Sequence, residues 1–123
     1  MRDFENLQAW MKSHQLTLKV YRETASFPEA EKHGLTSQRR RAAASIAANV
    51  AEGYGRDSDR EFVRFLNIVA GSATELEYHI LLASDLGYLT DEANQVLNGH
   101  LYEVQKMLAG LIRRIQSSLK RHH

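Results

Sequence analysis

The segment from Thr36 to Arg56 is an alanine-rich run whose side chains repeat with helical spacing along two lines at once. Ala42, Ile46 and Val50 form an apolar line. Gln38, Arg41, Ser45, Asn49, Glu52 and Arg56 recur at steps of three, four, four, three and four and form a polar line beside it. Because alanine keeps such a rod slim, neighbouring rods reach its backbone and its polar line together. The chain is thereby confined to helix-against-helix packing, within one copy or between copies, and the polar line points to packing or recognition more than to chemistry.

The remaining residues continue in the same period, and no stretch alternates with period two for long enough to make a strand. The spacing predicts helices over residues 6–25, 36–54, 58–86 and 91–119. In the first, Leu7, Met11, His14, Leu18 and Tyr21 form the packing line, with Trp10 beside it. Pro28 fixes the turn after Phe27, and Gly34 permits a bend before Thr36, the expected N-cap of the second helix. Gly53–Tyr54–Gly55 ends that helix through low propensity and access to positive φ. Ser58 with Glu61 is a capping-box pattern for the third helix, supported by Asp57 and Asp59 at its positive end. Its line runs Phe62, Phe65, Leu66, Val69, Ala73, Leu76, Ile80 and Ala83, stopping at Gly87. Thr90 is the expected cap of the fourth helix, whose buried line is Ala93, Leu97, Leu101, Val104, Leu108, Leu111, Ile115 and Leu119. Short connections make successive helices antiparallel neighbours. An all-α, antiparallel up-down four-helix bundle, one domain over residues 1–123, is the economical solution.

A chain of 123 residues buries enough surface to need no metal or disulfide staple. The absence of cysteine excludes a disulfide framework, a thiol nucleophile and thiolate metal sites. The start, MRDFENLQAW, is charged and lacks an apolar stretch of signal length. No membrane span is legible either, and a cytoplasmic location is expected. The net charge of +1 hides a segregation. From Phe65 to Glu103 there is no Lys or Arg, while Glu75, Glu77, Asp85, Asp91, Glu92 and Glu103 are acidic. After Glu103 there is no Asp or Glu, while Lys106, Arg113, Arg114, Lys120 and Arg121 are basic. Such fields steer unlike faces of two copies together, or bring the basic one to a polyanion. His122 and His123 have the look of a purification-tag remnant and are given no functional role.

The candidate sites each carry two readings. The polar line, with Ser72, Glu75 and His79 at matching spacing on the third helix, either sets register and oligomer interface or binds a ligand. Glu75 is expected within ion-pair reach of Arg41 or Arg56, within or between subunits. Arg39, Arg40 and Arg41 are consecutive and fan around the helix. Arg41 is assigned to the polar line, leaving Arg39 and Arg40 as the freer charges. These two, with Arg113, Arg114, Lys120 and Arg121, are the nucleic-acid candidates; a solvated face is the alternative. His14 reads as a hydrogen-bonded core or interface histidine. A di-iron site needs Glu-x-x-His on two helices and the chain has none. Gly53 and Gly55 lack the strand and the Gly-Lys-Ser/Thr of a phosphate loop. No catalytic residues, metal or cofactor are expected, and Phe62, Phe65, Tyr78, Tyr88 and Tyr102 read as packing rather than base-stacking residues.

The run GLTSQRRRAAASIAANVAEGYGR, followed by EFVRFLNIVAGSATELE and LGYL, resembles the four-helix-bundle proteins encoded in intervening sequences of bacterial 23S rRNA genes. The similarity extends from Phe4, Leu7 and Trp10 through Phe27, Pro28 and Glu31 to Leu89, and the last helix matches in apolar pattern. Motif positions carried over are Gln38, Arg41, Ser45, Asn49, Glu52, Gly53 and Arg56, then Phe62, Phe65, Leu66, Gly71, Ser72, Glu75 and Leu76. The resemblance implies a small cytosolic bundle that assembles as a cyclic homopentamer, with no established enzyme activity. It extends distantly to the accessory bundle protein of diversity-generating retroelements, a basic pentamer that works with nucleic acid. Ala47 stands where relatives often have Pro, so this second helix is expected to be straighter. The expected function is a non-enzymatic homo-oligomer that binds RNA, DNA or a ribonucleoprotein through basic surfaces. The alternative is a protein-binding adaptor or scaffold without a nucleic-acid role.

Overall fold

Local capping chemistry sets several of the helix boundaries. In the computed structural model, which describes residues 4–121, a 3-10 turn at Phe4–Asn6 precedes α1, Gln8–Thr24. A second 3-10 turn, Glu29–Glu31, leads into α2, Leu35–Tyr54; α3 is Asp59–Asp85 and α4 is Asp91–Arg121. The described residues contain no strand. Ser58 Oγ accepts from the Glu61 N–H at 3.2 Å and Thr90 Oγ1 from the Ala93 N–H at 3.1 Å, so both of those caps form as expected. The reciprocal half of the capping box is replaced by an Arg64 bond to Glu61 at 2.7 Å. Thr36 does not cap α2. Gly34 occupies the N-cap position, and the Glu31 carboxylate accepts from the Leu35 N–H at 3.2 Å while also accepting from the Tyr88 hydroxyl at 2.7 Å.

The glycines divide differently from expectation. Gly55 closes α2 with φ −82°, an ordinary right-handed conformation. Positive φ is used instead at Gly87, φ 74°, where the Gly87 N–H donates to the Ser84 carbonyl and the Tyr88 N–H to the Ala83 carbonyl, both at 3.0 Å. That double bond pattern is a Schellman stop.

Each helix packs against its two neighbours in chain-cyclic order, α1 on α2, α2 on α3, α3 on α4 and α4 on α1, while the backbones of the diagonal pairs stay further apart. The α1–α2 edge therefore lies opposite the α3–α4 edge. Leu16, Val20, Ile46, Val50, Leu66, Val69, Leu76, Ile80, Leu97, Leu101 and Val104 fill the centre. Each such side chain contributes about 1.5–3 kcal/mol by leaving water. A smaller cluster of Phe27, Leu35 and Ala83, with Leu82, Tyr88 and Leu89, seals the end where the α1–α2 and α3–α4 connections meet.

α1 is turned relative to the sequence expectation. Its buried residues are Ala9, Ser13, Leu16, Val20 and Thr24, while Met11, Leu18 and Tyr21 are 44%, 40% and 44% exposed and His14 is exposed. The physical reason is that the buried line includes two small hydroxyl residues. Ser13 and Thr24 satisfy their hydroxyls on carbonyls one turn back, at 2.7 and 2.8 Å, and so enter the core without an unpaired donor. Thr17 Oγ1 reaches the Ala43 carbonyl of α2 at 3.0 Å. His14 is no core histidine: it stacks on Trp10, with ring centroids 4.9 Å apart. No helix among the described residues is long and apolar enough to cross a membrane.

Candidate nucleic-acid interface

The outer face of α4 beyond Glu103 is basic throughout. Lys106, Arg113, Arg114, Lys120 and Arg121 are exposed and fall within an arc of about 120° around the helix. From Lys106 to Arg121 the stripe rises about 22 Å. Gly110 and Ser117 lie inside the arc and keep its middle low. Gly110, Arg113, Arg114, Ser117 and Arg121 line a shallow depression there. A methyl at Gly110 would stand 3.5 Å from Arg114 Nη1 and 3.9 Å from Arg113 Nη2, so both guanidinium groups lean over the glycine. Arg114 and Lys106 also border a second depression at the α1–α4 seam, beside Leu7, Gln8 and Met107. Among the described residues no carboxylate pairs with Arg113, Arg114, Lys120 or Arg121. Their charge is left for a partner, with the five N–H donors of each guanidinium turned outward.

Arg39 does not belong to that surface, although its sequence position beside Arg40 suggested a free cation. Its side chain is fully buried; Nη1 donates to the His79 carbonyl at 3.0 Å and Nη2 pairs with Glu23, while the guanidinium stands 5.3 Å from the centre of the Phe27 ring. One side chain of α2 thus ties α1 to α3. Three consecutive arginines cannot all face outward, and Arg39 is the one in register with Leu35, Ala42 and Ile46. That register was the available signal. Arg40 is half-buried, donating to Thr24 Oγ1 at 2.8 Å and to the Tyr21 carbonyl at 3.2 Å, with its guanidinium over the Tyr21 ring. Arg41, assigned from sequence to the polar line, is the exposed member.

The polar line separates into two parts. Ser45 and Ser72 meet at 3.0 Å across the α2–α3 seam, and Asn49 donates to the Ser45 carbonyl at 2.9 Å and to its hydroxyl at 3.0 Å. These half-buried groups fix the register of two helices. The others lie outside: Gln38 and Arg41 are exposed, and Arg56 donates to Glu52 at 2.8 Å on the surface while covering the Phe65 ring. Within this chain Glu75 meets neither Arg41 nor Arg56. It is 57% exposed, and the side chain 3.8 Å away is His79, one turn on.

His79, expected from its spacing to join the polar line, is instead buried, 5% exposed with Nδ1 unpartnered. Burial pushes its pKa down from the ordinary histidine value, Arg39 adds to this, and Glu75 opposes it. Burial likewise raises the Glu23 carboxyl, with Arg39 opposing. Among the described residues no group of three metal-capable side chains gathers.

The comparisons agree with this architecture. A crystal structure at 1.70 Å of a protein with unknown function from the S23 ribosomal protein family of Bacteroides thetaiotaomicron VPI-5482 superposes with a TM-score of 0.76. The two chains are 27% identical, over 85% of this chain and 97% of that one. No curated protein matches this chain. The model of the 23S rRNA-intervening sequence protein family matches residues 5–110, through all of α1, α2 and α3 and two-thirds of α4, and the chain belongs to that family.

Proposed function

We propose that this protein is a self-associating helical bundle that binds RNA through the basic stripe of α4 and performs no chemistry of its own. The observation that carries the reading is the exposed charge of Arg113, Arg114, Lys120 and Arg121, without a carboxylate partner among the described residues, on one face with Lys106, which lies over the Tyr102 ring, and with small residues at its middle. A phosphate backbone approaches such a face closely, and counterion release supplies the affinity. The family description's reference to 23S rRNA and the neighbour's ribosomal family support RNA as the polyanion. Arg39 has no part in it, and Arg40 is spent on Tyr21 and Thr24.

Titration of a structured RNA followed by fluorescence anisotropy tests this. With four or five phosphates neutralised, affinity is expected to fall about 10²-fold between about 50 mM and 200 mM salt. Arg113→Glu with Arg114→Glu is expected to abolish binding with no loss of helix content by circular dichroism. Absent or salt-insensitive binding at low ionic strength would instead favour a scaffold that contacts only protein.

A further inference from the structure

The groove between α3 and α4 is lined by Tyr78, Leu81, Asn94, Asn98, Tyr102 and Gln105. Its volume of about 710 Å³ lies in the range of sites that hold a small organic group. Tyr78 and Tyr102, which their spacing suggests are packing residues, stand instead 58% and 62% exposed on its two walls, and Leu81, one turn on from Tyr78, is 56% exposed. Asn94 is 5% exposed, and neither its Nδ2 nor its Oδ1 has a hydrogen-bond partner. A buried carboxamide without a partner costs stability unless something arrives to bond it. Asn94, Asn98 and Gln105 fall within an arc of about 40° on α4, so the amide groups of the groove follow one line.

The groove is continuous with the basic stripe. Lys106, one turn on from Tyr102, holds its ammonium 5.5 Å from the centre of the Tyr102 ring and is also the first cation of the stripe. The groove itself disfavours phosphate: Glu77, which accepts from Gln105 at 3.5 Å, lines it, and the chain from Phe65 to Glu103 has acidic residues and no Lys or Arg. What it fits is a neutral, flat group that donates and accepts hydrogen bonds and hangs from an anionic backbone alongside, which describes an unpaired base of RNA. We infer that the α3–α4 groove receives one unpaired base of an RNA strand whose phosphates follow the stripe, with Tyr78 and Leu81 against its face and Asn94 bonding its edge. Tyr102, whose ring already carries Lys106, forms the rim where groove and stripe join. Adenine fits best, because its N6 amino group and N7 set a donor and an acceptor side by side for a carboxamide, whereas the same edge of guanine offers two acceptors. Uracil presents a smaller face for stacking. The inference rests on the RNA reading of the stripe and adds a preference among bases, which phosphate contacts do not carry.

Fluorescence anisotropy with three labelled ligands separates groove from stripe: oligoadenylate, oligouridylate and the duplex of the two. A stripe acting alone holds the duplex most tightly, since its phosphates are densest. With the groove engaged, wild type is expected to bind oligoadenylate about 10-fold more tightly than either other ligand. Tyr78→Ala, on the surface, and Asn94→Leu, which fills its site without hydrogen bonds, are each expected to remove that preference and to leave duplex affinity and the circular dichroism spectrum unchanged. Binding of the duplex as tight as that of oligoadenylate, or a preference that survives both substitutions, overturns the inference and leaves the stripe reading standing. So does a fall in particle mass of Tyr78→Ala by light scattering with RNA affinity unchanged, which gives the groove to another protomer. Absence of binding to all three ligands overturns both readings.

Discussion

Arg39 bears more of the structure than any other polar residue, because it is a charge with no exposure to water and contacts to two neighbouring helices. Removing one member of such a buried pair strands the other. Arg39→Ala is expected to cost about 3–5 kcal/mol in urea unfolding, and Arg39→Met with Glu23→Leu to recover most of it. His79 and Glu23 make stability depend on pH in opposite senses. His79 is held below its ordinary 6.5 by burial, so it contributes stability above that value, which is lost as pH falls and the unfolded chain takes up the proton first. Glu23 is raised, so its contribution is present below its ordinary 4.5 and lost as pH rises through the folded-state value. Comparing wild type with His79→Gln isolates the first: the stability advantage of wild type is expected to shrink between about pH 7.5 and about pH 5.5. The burial of Arg39 is legible in its register with Leu35, Ala42 and Ile46, although its two arginine neighbours suggest the surface.

Among the elements, α2 and α3 form the tightest pair, and Gly53 shows why. A methyl there would stand 2.6 Å from Phe65 Cβ and 3.1 Å from the Phe62 ring, so the two backbones approach only because position 53 has no side chain. Gly53→Ala is expected to lower stability by about 1–3 kcal/mol through overpacking. Gly71, in the open on α3, has nothing within 4 Å, and Gly71→Ala is expected to raise stability by about 0.5–1 kcal/mol through helix propensity. Thermal unfolding of the pair separates close approach from conformational freedom as the reason for a glycine. The starts of α3 and α4 and the stop of α3 follow from residues within four positions of each boundary, which is why they can be read from sequence. The start of α2 could not, because its cap is a carboxylate from the preceding turn that also binds Tyr88 in a distant connection. The facing of α1 is not legible for a related reason: periodicity locates an apolar line without saying whether that line meets its own chain.

At the scale of the whole molecule, the proposed RNA stripe runs along the carboxyl-terminal half of α4, away from the bundle core. Arg113→Glu with Arg114→Glu is therefore expected to abolish RNA binding without changing particle mass. Measuring both properties on this variant and on wild type checks the prediction. Helix number, most boundaries, the α3 core line, the Leu97, Leu101, Val104, Leu108 and Ile115 part of the α4 line and the segregation of charge along the chain are all present in the order of residues, because helical period, capping and net charge act over a few neighbours. Which arginine turns inward, which face of α1 is covered and which edges stand opposite depend on how four rods close around one centre. Those choices are made by burial and by the pairing of polar groups far apart in the chain, and local spacing carries no information about them.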